Sequence, residues 1–251
     1  MIDKMILSNK AAGIRKKLGE DSALPIDIFA LVYSLANVTL VKYPLGDKIS
    51  GACLKGRTSA VIAVNSGMSV GRQRFSLAHE LYHFYYDEDM TSTVCPAQIG
   101  EGSPTEKAAD QFASYLLMPQ AALYDKIQEI KGAGDGKLTT EDVINLEQYF
   151  GVSRKAMLFR LQEEGELSKS EAEGMQKDVI LSAAKLGYDT SLYKPAPENK
   201  NKGTYGHYIK QAENLLQSGA ISAGKYEEWL LDAFREDIVY GDEAQGGELI
   251  D

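Results

Sequence analysis

The sequence predicts an α+β fold, in which a short β-sheet and two buried helices form a core and mostly helical segments follow. Two observations carry this prediction. Stretches between residues 38 and 65 alternate like strands and are separated by Gly-containing breaks. The apolar residues of the run 75–85 then surround a helix, and residues 109–116 carry an apolar stripe at helical spacing. The length of 251 residues fits one elaborated domain or two.

The N-terminal part is predicted to begin with two helices. Pro25 suits the first turn of the second helix, where its fixed φ and missing N–H are tolerated. The helix that follows three strands is expected to begin near Ser69, a suitable N-cap residue. Up to residue 118 the predicted elements are helices 8–18 and 25–36, strands 38–43, 51–55 and 59–65, a helix from 69, a strand 91–95 and a helix 104–118.

Residues 79–83 read His-Glu-Leu-Tyr-His, an H-E-x-x-H box inside a helical run. His79 and His83 are four residues apart, so they share a helical face and both imidazoles can reach one zinc ion. Glu80 lies one step along, where it can take a proton from a water on the metal and return it to a leaving amine. The box therefore predicts peptide-bond hydrolysis. The alternative is a pair of histidines satisfied in a helix core.

Two histidines leave such a zinc site short of one protein ligand. Glu106 is the candidate for a third ligand, and Asp110, four residues later, could accept the other ring N–H of a ligating histidine. Residues 103–106, Ser-Pro-Thr-Glu, also match a capping box with Pro at the first helical position, so a capping role for Glu106 stays open. His207 has no motif around it and is interpreted as a capping or surface residue.

Residues 72–81 (RQRFSLAHEL) and 106–119 (EKAADQFASYLLMP) resemble the ImmA/IrrE family of bacterial metallo-endopeptidases. The resemblance covers roughly residues 8–165, including residues 49–51 and 62–65 upstream. It implies a small zincin-like metalloprotease core with a gluzincin-type site, in which two histidines and a downstream glutamate bind zinc. It also implies cleavage of a helix-turn-helix repressor that controls a mobile element or a stress response. In zincins, an edge strand of the sheet would pair with the substrate backbone.

Two positions depart from the family pattern. Tyr82 stands before the second histidine, where members often carry Gly, and Ala108 stands where a second glutamate is common. Neither change removes a ligand from the implied set. Glu106 is left as the only glutamate available within the downstream motif.

Four segments are predicted along the chain. A helical pair around the turn Gly151–Ser153 resembles a helix-turn-helix, and the region around residue 200 is rich in Pro, Asn, Lys and Gly. The segments are a zincin-like core at 1–130, a helix-turn-helix-like helical segment at 131–186, a linker or long loop at 187–206, and a C-terminal helical pair with an acidic tail at 207–251. The acidic tail is predicted to be disordered from residue 241 onwards.

The helix-turn-helix-like segment has two interpretations, DNA binding and packing on the core. Three basic side chains favour DNA binding, and acidic residues at 163, 164 and 166 oppose it. Packing is favoured because the segment lacks a sustained basic face. The three basic residues are Arg154, Lys155 and Arg160.

The net charge, the cysteines and the lack of a targeting or spanning segment indicate where the protein is located and which partners it could bind. The net charge of -9 opposes tight binding to DNA phosphates but suits the basic face of a DNA-binding partner. Cys53 and Cys95 indicate no disulfide framework, and neither is expected to bind metal. Residues 87–89 are interpreted as a solvated charge cluster. The absence of a signal peptide or spanning segment predicts a cytoplasmic protein.

The leading hypothesis is therefore a zinc endopeptidase acting on a repressor protein. The competing class is a DNA-binding or protein-interaction regulator in which the zinc site is structural. Glu80 argues against that class, because a structural site has no use for a base directed at water. Three protein ligands plus water would indicate the enzyme, and a closed site with four ligands would indicate the structural role.

Overall fold

The computed structural model describes residues 3–87, 91–132 and 136–241. The predicted disorder of the tail falls mostly on residues 242–251, outside the described residues. The strands are β1 (Val38–Tyr43), β2 (Ile49–Lys55), β3 (Ala60–Asn65), β4 (Ser92–Pro96) and β5 (Gly203–Gly206). The helices are α1 (Lys4–Lys17), α2 (Ile28–Ser34), α3 (Val70–Tyr86), α4 (Pro104–Leu117), α5 (Gln120–Lys131), α6 (Thr140–Phe150), α7 (Arg154–Glu163), α8 (Lys169–Gly174), α9 (Val179–Lys185), α10 (His207–Gln217), α11 (Ala223–Asp232) and α12 (Glu236–Tyr240).

The five strands form one mixed sheet in the order β4-β2-β3-β1-β5. β1 and β3 are parallel, and the other neighbouring pairs are antiparallel. β4 and β5 are therefore the edge strands. The sheet with its surrounding helices confirms the predicted α+β class.

α3 lies between the sheet and α4, in contact with β2 and β3. Its apolar residues Phe75, Leu77 and Leu81 are fully buried, which confirms the prediction of a buried helix. Ser69 caps the helix as expected, because its side chain accepts a hydrogen bond from the backbone N–H of Arg72. The central helix is thus covered by the sheet on one side and by α4 on the other, so a buried polar group on it carries a cost unless it finds a partner inside the protein.

α4 presents the predicted apolar stripe to the core. Ala109, Phe112, Ala113 and Leu116 are all buried, and the helix packs on α3 and α1. Ser103 is its N-cap and Pro104 stands at its first position. The start of α4 is therefore anchored close to the middle of α3.

The predicted role of Pro25 in the first helical turn is wrong. α2 begins at Ile28, and Asp27 caps it by accepting hydrogen bonds from the N–H groups of Phe29 and Ala30. Asp is a strong N-cap residue, so the helix begins at the capping side chain and Pro25 stays in the preceding loop. The buried Arg15 supports that loop through a hydrogen bond to the carbonyl of Asp21 at 2.8 Å.

Residues 203–206 fall in the predicted linker or long loop but form strand β5. β5 pairs antiparallel with β1, from Lys42 opposite Gly203 to Thr39 opposite Gly206. Gly206 has a φ of 82°, and a Cβ there would lie 2.6 Å from the carbonyl oxygen of Val38. The sequence signal is weak because two of the four residues are glycines, which have low strand propensity.

The helix-turn-helix-like segment packs through its basic residues. Arg154 is buried and forms an ion pair with Glu147, which is also buried. Arg160 is fully buried and donates to the carbonyl of Met118 at 2.9 Å. Lys155 donates to the side chain of Gln98 at 2.6 Å. All three basic side chains on which a DNA-binding interpretation depended are therefore engaged by the protein itself.

Candidate metal centre

The two histidines of the H-E-x-x-H box meet on the inner side of α3. The Nε2 atoms of His79 and His83 lie 3.2 Å apart. Both side chains are nearly or wholly buried. The helical spacing accounts for this pairing, because residues four apart stack on one face of a helix.

Glu106 reaches both rings from the first turn of α4. Its Oε2 lies 3.2 Å from Nε2 of His79, and its Oε1 lies 3.5 Å from Nε2 of His83. The cap at Ser103 is present too, since the Ser103 hydroxyl accepts from the backbone N–H of Glu106 at 3.2 Å. The residue thus contributes its N–H to the cap, while its carboxylate faces the histidines.

Each histidine is held at its other ring nitrogen by a carboxylate. Nδ1 of His79 lies 2.8 Å from Asp110, which also accepts from the N–H of Gly100 at 2.6 Å. Nδ1 of His83 lies 3.1 Å from Asp87. Such contacts orient a ligating imidazole and fix its tautomer. The interpretation of residues 87–89 as a solvated charge cluster is wrong for residue 87, whose side chain is only 15% exposed, while residues 88 and 89 lie outside the described residues.

Cys95 completes the group from strand β4. Its thiol, one ring nitrogen of each histidine and a carboxylate oxygen of Glu106 all lie within 4.8 Å of one another. Cys95 is paired with Gly51 on β2 and is fully buried. The sequence analysis did not expect a metal role for it. The available signal was its position in the chain, on a strand between His83 and Glu106.

The spacing of these donor atoms fits a single small cation. Two bonds of the zinc–nitrogen length at a tetrahedral angle would hold their donor atoms about 3.3 Å apart. The separations among the two Nε2 atoms and the Glu106 oxygens are 3.2, 3.2 and 3.5 Å. Imidazole, carboxylate and thiolate are also donor types that zinc accepts. His79, His83 and Glu106 are therefore arranged so that they could hold one metal ion, and they form a candidate metal-binding set.

In the metal-free site the pKa values of the two histidines shift in opposite directions. Burial lowers the pKa of His79, but its contacts with Asp110 and Glu106 outweigh burial and raise the pKa to about 9. Burial and the neighbouring charge of His79 lower the pKa of His83. Burial raises the pKa of Glu106, but the two histidines outweigh it and leave the pKa below its ordinary value. A metal must displace the proton on His79, since only neutral imidazole is a ligand.

Glu80 stands beside this cluster without a fixed partner. It is fully buried, and among the described residues neither carboxylate oxygen has a hydrogen-bond partner of ordinary geometry. Burial raises its pKa to about 7, although the nearby His79 and Cys95 oppose the rise. Gly51 makes room for it, since a Cβ there would lie 2.6 Å from Glu80 Oε1. A carboxylate with such a pKa is suited to accept and return a proton near neutral pH.

Arg72 is a further charged residue close to the site. It donates to the carbonyl of Ala97 at 3.1 Å, and burial lowers its pKa to about 10. Its positive charge favours the ionised form of Glu80. The sequence analysis assigned it no role, because nothing in the local pattern shows that its side chain turns inward.

Residues 26–162 match the family model of the IrrE N-terminal-like domain, a peptidase family designated M78. This match spans more than half of the 251-residue chain. The chain belongs to this family. The resemblance inferred from residues 72–81 and 106–119 is thereby confirmed, and all the residues of the metal-binding set lie inside the matched IrrE-like domain. Among curated proteins, no relative matches this chain.

The departure at Tyr82 is absorbed by aromatic packing within the IrrE-like domain. The ring of Tyr82 lies 5.6 Å from that of Phe112 on α4 and 5.7 Å from that of Tyr86. Lys10 lies over the same ring at 5.3 Å. The bulky side chain therefore joins α3 to α4 and α1 and leaves the cluster of donor atoms free.

Two further observations concern the chain outside the cluster. His207 begins α10, and its Nδ1 lies 2.7 Å from the carbonyl of Ala36. It is not among the residues of the cluster. None of the helices in the described ranges has the length and apolar character needed to cross a bilayer.

Proposed function

We propose that this chain is a zinc-dependent endopeptidase whose substrate is a helix-turn-helix transcriptional repressor. The observation that carries the enzymatic part is Glu80. It is fully buried, lacks a hydrogen-bond partner of ordinary geometry among the described residues, and stands beside two histidines and a glutamate with converging donor atoms. Burying an unpaired carboxylate is costly, so a site that retains one is a candidate for acid–base chemistry.

Each residue has a distinct role in this proposal. His79, His83 and Glu106 would hold the zinc. A zinc ion bound there would polarise the scissile carbonyl and lower the pKa of a bound water to about 7. Glu80 accepts the proton of the attacking water and later delivers it to the leaving amine. Asp110 and Asp87 position the two imidazoles through their Nδ1 atoms, at 2.8 and 3.1 Å.

The edge strand β4 supports binding of an extended peptide. β4 is the terminal strand of the sheet on the side of β2, so no other strand of the described chain pairs with its outer edge. Its residue Val94 is 64% exposed, while its neighbour Cys95 points into the metal-binding cluster. A substrate strand added alongside β4 would bring its backbone close to Glu80 and the zinc ligands, as in other cases of strand addition.

The choice of a DNA-binding protein as substrate rests on the family resemblance and on charge. The chain carries a net charge of -9, which complements the basic surface of a repressor. Its own Arg154 and Arg160 are buried, which supports a protein partner in preference to direct DNA binding. A cytoplasmic location follows from such a substrate and agrees with two free cysteines.

One observation favours the competing role of a structural zinc site. Cys95 offers a fourth donor, and closed sites with four protein ligands are usually structural. Glu80 supports the enzyme, because a structural site gains nothing from an unpaired buried carboxylate. Hydrolysis by the purified zinc-loaded chain separates the two possibilities.

The test compares the parent protein with Glu80→Gln and Glu106→Gln. Zinc content and cleavage of a candidate repressor are measured on the same preparations. We expect Glu80→Gln to keep zinc and lose cleavage by about 10²–10⁴-fold, because the amide cannot accept a proton. Glu106→Gln should retain the cap but bind zinc more weakly. Full cleavage by Glu80→Gln would contradict its role as the base.

The partner is tested separately from the chemistry. Fluorescence anisotropy with operator DNA is compared with binding to the repressor protein at two salt concentrations. Specific DNA-binding proteins typically bind their sites with a Kd of about 10⁻⁸–10⁻¹¹ M, and we expect this chain to bind DNA far more weakly than that. Sub-micromolar, salt-sensitive binding of DNA by the purified chain would refute the proposed partner class.

A further inference from the structure

Cys95 lies where a fourth metal ligand would be. It is fully buried on the edge strand β4, and its thiol lies within 4.8 Å of the donor atoms of His79, His83 and Glu106. The register of the sheet places it opposite Gly51, the residue whose missing side chain makes room for Glu80. The thiol is therefore close both to the metal-binding set and to the carboxylate of Glu80.

We propose that Cys95 binds the metal in the resting protein as a fourth, displaceable ligand, and so holds the site closed until substrate or water replaces it. This inference rests on the proposed function and adds a means of regulation to the same site. A hydrolytic zinc site needs one position free for water. A thiolate in that position would leave the three other ligands in place but silence hydrolysis.

The proton balance of this step involves Glu80. A thiol must lose its proton to bind a metal as thiolate. The carboxylate oxygens of Glu80 have no hydrogen-bond partner of ordinary geometry among the described residues. Glu80 and the ligand Glu106 are carboxylates that interact with the thiol of Cys95, so Glu80 is the base available to it. The proton passes from Cys95 to Glu80 when the thiolate binds, and returns to the thiolate when water displaces it. Cys95 and water thus compete for the same metal position and the same base.

The position of Cys95 on β4 favours a displaceable ligand over a permanent one. His79, His83 and Glu106 are fixed by two helices that pack against each other. β4 is paired on one side only, and its pairing with β2 is irregular between Ile49 and Gly51. A segment with fewer pairing partners can move at lower free-energy cost than a helix in the core. A substrate that pairs with β4 would act on the strand that carries the thiol.

The first test asks whether a metal–sulfur bond exists. X-ray absorption is measured on the zinc-loaded full chain, on Cys95→Ala and on Cys53→Ala. Cys53 is the matched control, because it is also a buried thiol on a neighbouring strand but is not part of the cluster. We expect a zinc–sulfur distance of about 2.3 Å in the parent and in Cys53→Ala, and its loss in Cys95→Ala.

The second test asks whether the ligand is displaceable. Cys95→Ala and the more conservative Cys95→Ser are loaded with zinc, and zinc stoichiometry and peptide hydrolysis are measured together. We expect both variants to retain zinc and to turn over substrate faster, on the order of tenfold, which corresponds to about 1.4 kcal/mol of competition by the thiolate. Cys53→Ala should hydrolyse at the parent rate.

The outcomes separate this inference from the proposed function. Absence of a zinc–sulfur bond in the parent, with hydrolysis intact, would overturn the role of Cys95 and leave the peptidase standing. Loss of zinc from both Cys95 variants would show a permanent ligand and also overturn it. The remaining outcome is a zinc–sulfur bond in the parent together with no hydrolysis by either the parent or Cys95→Ala. That outcome would refute the peptidase and with it the regulatory role.

Discussion

Two glutamates among the described residues are fully buried, and they differ in whether they are paired. Burial raises the pKa of Glu80 and of Glu147 to about 7 in each case. Glu147 has an ion pair with the buried Arg154, whereas Glu80 has no hydrogen-bond partner of ordinary geometry among the described residues. Replacing Glu80 with glutamine should therefore stabilise the protein, whereas the same replacement of Glu147 also breaks an ion pair.

The effect of Glu80→Gln can be worked out from its pKa. The carboxyl has a pKa of 4.5 in the unfolded chain and about 7 in the folded, metal-free protein. Well below pH 4.5 both states are protonated and there is no penalty. As pH rises the unfolded state ionises first, so the folded state loses about 1 kcal/mol by about pH 5.5 and about 3 kcal/mol by about pH 8. Glutamine stays neutral and removes this penalty.

The assay is urea unfolding of the metal-free protein at these two pH values. Glu80→Gln should be more stable than the parent by about 3 kcal/mol at the higher pH and by about 1 kcal/mol at the lower. Glu147→Gln is the matched comparison and should gain less stability than Glu80→Gln at the higher pH, because it also leaves Arg154 buried without its partner. The gain in Glu80→Gln would accompany loss of hydrolysis, as expected where function retains an unfavourable group.

A Glu80→Gln protein no more stable than the parent at the higher pH would refute this reasoning. It would mean that the carboxylate finds a partner in the folded protein and carries no penalty. An equal gain at both pH values would also refute it, because the effect would then not arise from ionisation.

Three further predictions concern the surroundings of the metal-binding set. Asp110→Asn should weaken zinc binding by about 10–100-fold in a chelator competition, because a neutral amide orients His79 less well; unchanged affinity would remove Asp110 from the site. Gly51→Ala should lower hydrolysis by about 10²-fold while zinc content stays constant. The reason is that its Cβ would lie 2.6 Å from Glu80 Oε1 and 2.9 Å from the carbonyl of Ala63. Parent-like turnover would show that the carboxylate can relocate. Zinc affinity should fall as pH decreases below about 9, the pKa of His79, because metal binding releases the ring proton. The chelator competition is repeated at several pH values, and a zinc affinity that does not change with pH would show that no such proton is released.

The core of the site follows from local spacing and was predictable. His79 and His83 meet because residues four apart on a helix share a face, wherever that helix lies. The burial of α3 was predictable as well, since apolar residues on all sides of a helix exclude solvent on all sides. The order of strands, box and downstream helix was enough for the α+β class, and the residues of 72–81 and 106–119 were enough for the family.

Only the tertiary structure decided the features that depend on contacts between distant segments. The motif at residues 103–106 suits both a cap and a ligand, and the packing of α4 on α3 is what aims the carboxylate of Glu106 at the histidines. Cys95 joins them through the pairing of β4 with β2, and β5 joins the sheet from a stretch with little strand character. Arg160 could have faced DNA or the core, and the carbonyl of Met118 accepts it inside the protein. Spacing along the chain determines which side chains share a face of one element, while packing between elements determines what that face meets.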